Sequence, residues 1–295
     1  MTSRDVYNAA DIFLKALDAA PTGARTVLKD QASKDWMETS VLRALAKLDA
    51  AAYHCSTVAR LIESAHDEAK ALAGPVEYPS TANLKPTKMT VAGAFSVQEV
   101  AFEIDAFLAA ARASIDFGGT LIALHLGMNR RTSISKVLDF LNKTPKAAFA
   151  SLLLRAPWIE SLKAYRDECV HYRALRTQTG YEAVRLKGAL AIAILPVVVP
   201  QEIGEDQPDT RAERYGMHRD DEGLPEGLDK SECWGEVTMG DGGAHVLEHS
   251  ICYSPAAGYV RVEEFCAQHL DKLREFLVHA FEEALTAKFT LQRRK

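Results

Sequence analysis

No long uninterrupted apolar run is present in the chain. The longest, residues 188–199, is broken by Pro196 and falls short of the roughly 20 residues that a spanning helix needs. The opening Met1-Thr2-Ser3-Arg4-Asp5 carries no apolar core of the kind a secretory signal has. No membrane partner is expected, and the cytoplasm is the expected compartment. Cysteine is scarce. Cys55, Cys169, Cys233, Cys252 and Cys266 are scattered and odd in number, which argues against a disulfide framework and suits reduced thiols. Excess positive charge is missing too. Lys and Arg total 35 against 40 Asp and Glu, a net charge of −5. A nucleic-acid site must therefore be a local patch rather than the field of the whole molecule. No internal repeat or low-complexity segment is visible. What is there is ordinary globular material: 295 residues, 47% hydrophobic and 25% charged, enough for one large domain or two smaller ones.

Helical periodicity dominates. Val6, Ala9, Ala10, Phe13, Leu14 and Leu17 share one face of a first helix. A second is expected over about 33–72, with Trp36, Leu42, Leu45, Leu48, Ala52, Val58, Leu61 and Ile62 as its stripe and Gly74-Pro75 as its stop. Residues 74–94 hold Pro75, Pro79, Pro86 and Gly93 and read as a linker or irregular loop. Ser96 and Glu99 have the spacing of a capping box, opening a helix that Gly127 ends. A short helix over 133–141 follows. The next is expected over 147–173, kinked or restarted at Pro157, with Leu154, Trp158, Leu162, Tyr165, Cys169 and Tyr172 as one continuous stripe. Residues 181–199 read as one or two strands, and 200–230 as a long acidic loop. Residues 236–239 and 245–253 read as short paired strands around Gly240-Asp241-Gly242-Gly243. A last helix spans 262–291.

One stretch has chemical content: Arg166-Asp167-Glu168-Cys169-Val170-His171. With Tyr165 as zero on a helix turning about 100° per residue, Arg166 falls near +100° and His171 near −120°. Lys163, Asp167, Val170 and Ala174 lie between them, away from the stripe. One face thus packs inward while the other carries Arg, Lys, Asp and His beside small residues. Asp167 and His171, four apart, are within reach of a hydrogen bond. Such a face suits a cleft or a contact between copies. RNA can be cut without a metal when its 2′-hydroxyl attacks the adjacent phosphate. A histidine can move the protons, an arginine can grip the charged phosphate with two prongs, and a carboxylate can fix the imidazole tautomer. A symmetric dimer supplies both an acid and a base. The plain alternative is a solvated charged face, with Arg166 and Asp167 as structural ion-pair residues.

The run from Tyr165 to Arg173 resembles the motif of HEPN domains: Arg, a polar residue, three others, then His. Phe102-Glu103-Ile104-Asp105-Ala106-Phe107-Leu108, on to Arg112 and Asp116, is similar to the long helix that precedes the motif helix in such proteins, and 265–285 is similar to their closing helix. The resemblance covers roughly 95–175 and 260–290. It implies a mainly α fold, an antiparallel helix bundle with a β-containing insertion (α+β overall). Residues 1–85 would form an N-terminal helical region, and 95–295 a HEPN-like domain with a β-rich excursion at about 181–255. It also implies a homodimer and, as in many members, metal-independent endoribonuclease activity in toxin, defence or stress systems. RNA is then the substrate, an antitoxin or other protein a partner, and no cofactor is called for. Arg166 and His171 would be the catalytic pair and Asp167 the polar partner. In one toxin branch a Tyr stands two places after the His, whereas here Tyr172 follows directly and Arg173 holds that place. A catalytically silent module that binds a nucleotide or a protein is the other reading.

Remaining sets carry less. Cys233, His245, His249 and Cys252 are zinc-capable types but lack a close Cys-x2-Cys pair, so no metal site is expected. Cys169 sits on the packing stripe and reads as core. Gly240-Asp241-Gly242-Gly243 has no phosphate-loop pattern and reads as a turn. Lys288, Arg293, Arg294 and Lys295 form a basic tail.

Overall fold

Thr2 and Asp5 open the first helix reciprocally. The Thr2 hydroxyl accepts from the Asp5 amide, and the Asp5 carboxylate accepts from the Thr2 amide at 2.8 Å. The computed structural model describes residues 1–23, 28–73, 89–129, 132–171, 177–186, 189–202, 227–237 and 246–287. It is mainly helical with small antiparallel sheets. The helices are α1 (Ser3–Ala19), α2 (Gln31–Ala73), α3 (Gln98–His125), α4 (Ile134–Lys143), α5 (Ala150–Leu154), α6 (Ala156–His171) and α7 (Val262–Thr286). The strands are β1 (Met89–Ser96), β2 (Gln178–Leu186), β3 (Ala189–Leu195), β4 (Val198–Pro200), β5 (Leu228–Val237), β6 (Val246–Pro255) and β7 (Tyr259–Arg261).

The chain divides into two compact units. One holds Met1–Cys55, Ile104–His171 and Cys266–Lys295; the other holds Ser56–Glu103 and Tyr172–Phe265. Three boundaries fall inside α2, α3 and α7, and the fourth follows His171, the last residue of α6. In the helical unit, α1 buries Val6, Ala10, Phe13 and Leu17, and the Phe13 ring lies 6.2 Å from that of Phe281 on α7. The buried Ser114 hydroxyl of α3 donates to the Ala44 carbonyl of α2 at 2.8 Å. Gly118 lies under α7, where a Cβ would meet Phe276 at 2.8 Å. The end of α3 is a Schellman turn. Met128 N–H reaches the Ala123 carbonyl, Gly127 N–H reaches Leu124, and Gly127 takes a φ of 69° that a side chain would strain. An 18-residue stretch of α3 is apolar enough to cross a membrane by composition, but 67% of it is buried inside the protein, as in a core helix.

In the other unit, β1, β2 and β3 form one antiparallel sheet in that order, β4 pairs with β7, and β5 with β6. Ala193, Leu195, Val198, Leu228 and Tyr253 form its core, with Tyr259 packed on them. Glu182 is buried, only 3% exposed, and Lys230 meets it at 2.8 Å. Breaking that pair from one side would leave a buried carboxylate alone, which is costly.

Several expectations need correction. Residues 89–96 are not loop: they form β1, paired one for one with β2 from Met89↔Arg185 to Ser96↔Gln178. Local pattern misses this strand because its partner lies some ninety positions away. Ser96 therefore ends a strand, and α3 opens at Gln98, past the Ser96–Glu99 capping box. Val97 sits at the junction, its N–H on the Thr177 carbonyl at 2.9 Å and its carbonyl on the Thr177 hydroxyl at 2.6 Å. The loop expected over 200–230 is shorter at both ends, since Pro200 belongs to β4 and β5 begins at Leu228; 203–226 lies outside the described residues. The pairing of β5 with β6 is as expected, though β5 starts eight residues earlier, at Leu228.

Candidate functional site

The expected long helix over 147–173 is three pieces. A single 3-10 turn at Ala147–Phe149 leads into α5, the chain turns at Arg155, and α6 begins at Ala156. Pro157 stands in the first turn of α6, where its missing N–H costs nothing, and the Ile159 amide closes onto the Arg155 carbonyl at 3.1 Å. Within α6 the stripe holds in part: Leu162, Tyr165 and Cys169 are buried, together with Ile159, while Trp158 is half-buried and Tyr172 lies outside the described residues. Leu154 does not belong to it. It is 81% exposed, because the turn at Arg155 interrupts the helical phase before Pro157.

Arg166 and Asp167 lie on the other side of α6, side chains 33% and 40% exposed, and bond to each other: Arg166 Nη1 donates to Asp167 Oδ1 at 2.9 Å. Arg166 Nε is shielded from water and has no partner among the described residues, so the guanidinium has hydrogen-bonding capacity left over. Lys163, one turn earlier, stands 3.7 Å from Glu160. His171 is the last residue of α6. Its side chain lies outside the described residues, as do those of Glu168 and Val170 and all of 172–176. The carboxylate expected to orient the imidazole is thus seen holding the guanidinium. As a chemical arrangement this is a half-exposed Arg–carboxylate pair on a well-packed helix, five residues before a histidine at the helix end.

Three polar links, none of them read from the sequence, tie α5 and the start of α6 to α7. The Ser151 amide donates to Glu283 Oε1 at 3.2 Å, and the Ser151 hydroxyl bonds the same oxygen. Arg155 donates to the Ser151 carbonyl at 2.9 Å and lies 3.7 Å from Glu275. Trp158 Nε1 donates to His269 Nδ1 at 2.9 Å, the two rings nearly parallel. The partner numbers fall as the α5–α6 numbers rise, so the segments run antiparallel. Burial, helped by Lys272, pushes His269 down to about 4. Burial raises the Glu283 carboxyl, against the bonds from Ser151. Burial also pushes the His125 imidazole, at the end of α3, below its ordinary value. Nothing local in the sequence marks these links, because polar residues on an amphipathic helix usually face water.

Among the described residues no group of three or more His, Cys, Asp or Glu is placed to hold a metal. Of the zinc-capable set, Cys252 is exposed. The β5–β6 register puts Cys233 opposite Ser250 and His249 opposite Trp234, at positions of opposite parity. His245, Gly240-Asp241-Gly242-Gly243 and the tail from Lys288 lie outside the described residues. The chain matches no family model, no curated protein and no solved structure.

Proposed function

We propose that this chain is a HEPN-type endoribonuclease that cuts RNA without a metal and works as a homodimer in the cytoplasm, in a toxin, defence or stress system. One observation carries the reading: Arg166 and Asp167 stand on the exposed side of α6 while Leu162, Tyr165 and Cys169 anchor its other side. A buried stripe fixes the helix, and a partly exposed cation, paired with Asp167 and with its Nε unmatched among the described residues, is left near a terminal histidine. In the reaction, the 2′-hydroxyl of RNA loses its proton to a base and its oxygen attacks the adjacent phosphorus. The bond from phosphorus to the 5′-oxygen breaks, and that oxygen takes a proton. A 2′,3′-cyclic phosphate and a 5′-hydroxyl result. His171 is the proton carrier, and Arg166 stabilises the charge gathering on phosphorus. Asp167 holds the guanidinium or, on substrate binding, the imidazole. The motif has two adjacent carboxylates, Asp167 and Glu168, beside the His and Arg, not the larger cluster that would hold paired magnesium ions.

The test is cleavage of RNA by purified protein with chelator present, wild type against His171→Ala. The expected result is cyclic-phosphate products, and a loss of ~100-fold or more in the variant, typical of removing one acid–base group. Equal cleavage by both, or its abolition by EDTA, overturns the mechanism. A second reading is favoured by the Arg166–Asp167 bond itself: an arginine already paired at 2.9 Å fits a catalytically silent HEPN-like module that binds a nucleotide or a protein partner. That reading expects no cleavage, and a bound ligand lost on Arg166→Ala.

A further inference from the structure

An edge strand with free N–H and C=O groups is a template for pairing, and proteins guard such edges with lysines, prolines, bulges or short length. Strand β1, Met-Thr-Val-Ala-Gly-Ala-Phe-Ser, does none of this. It is eight residues long, has no charge and no proline, and pairs with β2 one for one without a bulge. It lies at the end of the β1-β2-β3 order, with no further strand beside it among the described residues.

The direction of its backbone groups follows from one bond. Val97 N–H donates to the Thr177 carbonyl, which continues the β1–β2 register by one pair. In an antiparallel ladder, hydrogen-bonded and non-hydrogen-bonded pairs alternate. Phe95, Gly93, Val91 and Met89 therefore point their backbone groups at β2. Thr90, Ala92, Ala94 and Ser96 point theirs away from it, along the outer edge.

We infer that this edge is the surface on which a second copy of the chain docks, β1 against β1′, antiparallel about a two-fold axis at Gly93. That register sets Thr90 opposite Ser96′ and Ala92 opposite Ala94′, and the same in reverse. Every outward N–H and C=O of the strand then meets one from the partner, and shifting the axis by one residue leaves some unmet. The axis passes through a non-hydrogen-bonded pair, where the Cα atoms of facing strands come within about 4.5 Å. Glycine on both sides suits that approach. Self-pairing brings identical residues close, so any charge would face its like at a cost; β1 carries none. The result is one six-stranded sheet. This inference does not rest on the ribonuclease reading, since β1 contains no residue of the motif.

Two measurements test it. Light scattering of the full chain at tens of micromolar is expected to show a dimer. Ala92→Pro removes an outward N–H and spares the bonds to β2, and is expected to raise the dimer dissociation constant at least ~10-fold, given the usual worth of two backbone bonds, with an unchanged far-ultraviolet circular dichroism spectrum. Gly93→Cys is expected to form a disulfide between copies under mild oxidant, mapped by mass spectrometry to 93–93′, because a pair at that spacing lies in the range a disulfide spans. Ala92→Cys, facing Ala94′, is expected not to. A monomeric wild type overturns the inference and points to a different partner for the edge. So does a dimer that survives Ala92→Pro and yields no 93–93′ link. If Ala92→Pro fails to fold, the Gly93→Cys result decides.

Discussion

Arg166 shows how much a single contact decides. Its guanidinium pairs with the neighbouring Asp167 at 2.9 Å, one-third exposed and with Nε unmatched among the described residues. If it grips phosphate in two prongs, Arg166→Lys should lower RNA cleavage by ~10-fold or more, because an ammonium keeps the charge but not the planar fork. Thermal stability should barely move, since the residue lies off the buried stripe. Equal rates for the two proteins would put the arginine outside the chemistry. His269 makes a prediction of a different kind. Its ring accepts from Trp158 and is held to about 4, below the roughly 6.5 of a free imidazole. The unfolded chain therefore binds a proton that the folded chain refuses. The stability that the neutral ring contributes is complete above about pH 6.5 and is lost as pH falls toward about 4. Raised carboxyls such as Glu283 and Glu263 act in the opposite sense over the acid range. The comparison must therefore be between variants. His269→Gln keeps an acceptor but does not titrate, so its urea midpoint should fall less steeply than that of the wild type between pH 6.5 and 4. Parallel slopes would mean that the ring is not buried as a neutral group.

Elements here are held by what crosses between them. In the helical unit, α3 approaches α7 closely because Gly118 has no side chain. An alanine there would gain about 1 kcal/mol of helix propensity yet press a Cβ to 2.8 Å from Phe276 and 3.2 Å from Leu277. The two effects nearly offset, so alanine is a poor test. Gly118→Val removes the ambiguity: it adds a branched side chain against a ring, and overpacking typically costs 1–3 kcal/mol. Denaturant melts should show a loss of at least ~1 kcal/mol, with retained helical signal in the folded baseline. A neutral result would mean that the α3–α7 contact is looser than described. In the sheet-bearing unit the matching device is the Val97–Thr177 junction. Strand β1 passes into α3 without a loop, one residue's N–H and carbonyl both held by Thr177. Both devices join segments far apart in the chain, which local periodicity cannot see.

At the scale of the molecule, each compact unit is assembled from segments distant in sequence. Residues 1–55 share a unit with 104–171 and 266–295, and the links are specific: Ser114 on the Ala44 carbonyl, Phe13 near Phe281, and Arg43 5.8 Å above the Phe117 ring. A chain starting at residue 56 should therefore expose the α3 and α7 faces that α1 and α2 cover. We expect it to aggregate or to bind a hydrophobic dye, rather than to fold as a trimmed but intact remainder. A soluble truncated protein with a sharp thermal transition would show the opposite. The sequence by itself determined most of the helices, though not the break at Arg155, because an amphipathic stripe repeats every three or four residues and needs only neighbours to be read. It also determined the β5–β6 pairing and the buried side of α6, and it singled out Arg166, Asp167 and His171 by residue type. Only the tertiary structure decided that 89–96 is a strand, since β1 is short, uncharged and acquires meaning only from β2. It likewise decided that Leu154 faces water, that Asp167 bonds Arg166, and that Ser151, Trp158, Glu283 and His269 link α5 and α6 to α7. The physical reason is the same in each case. Periodicity is a local property of the chain, whereas a partner's identity depends on how distant segments close upon one another.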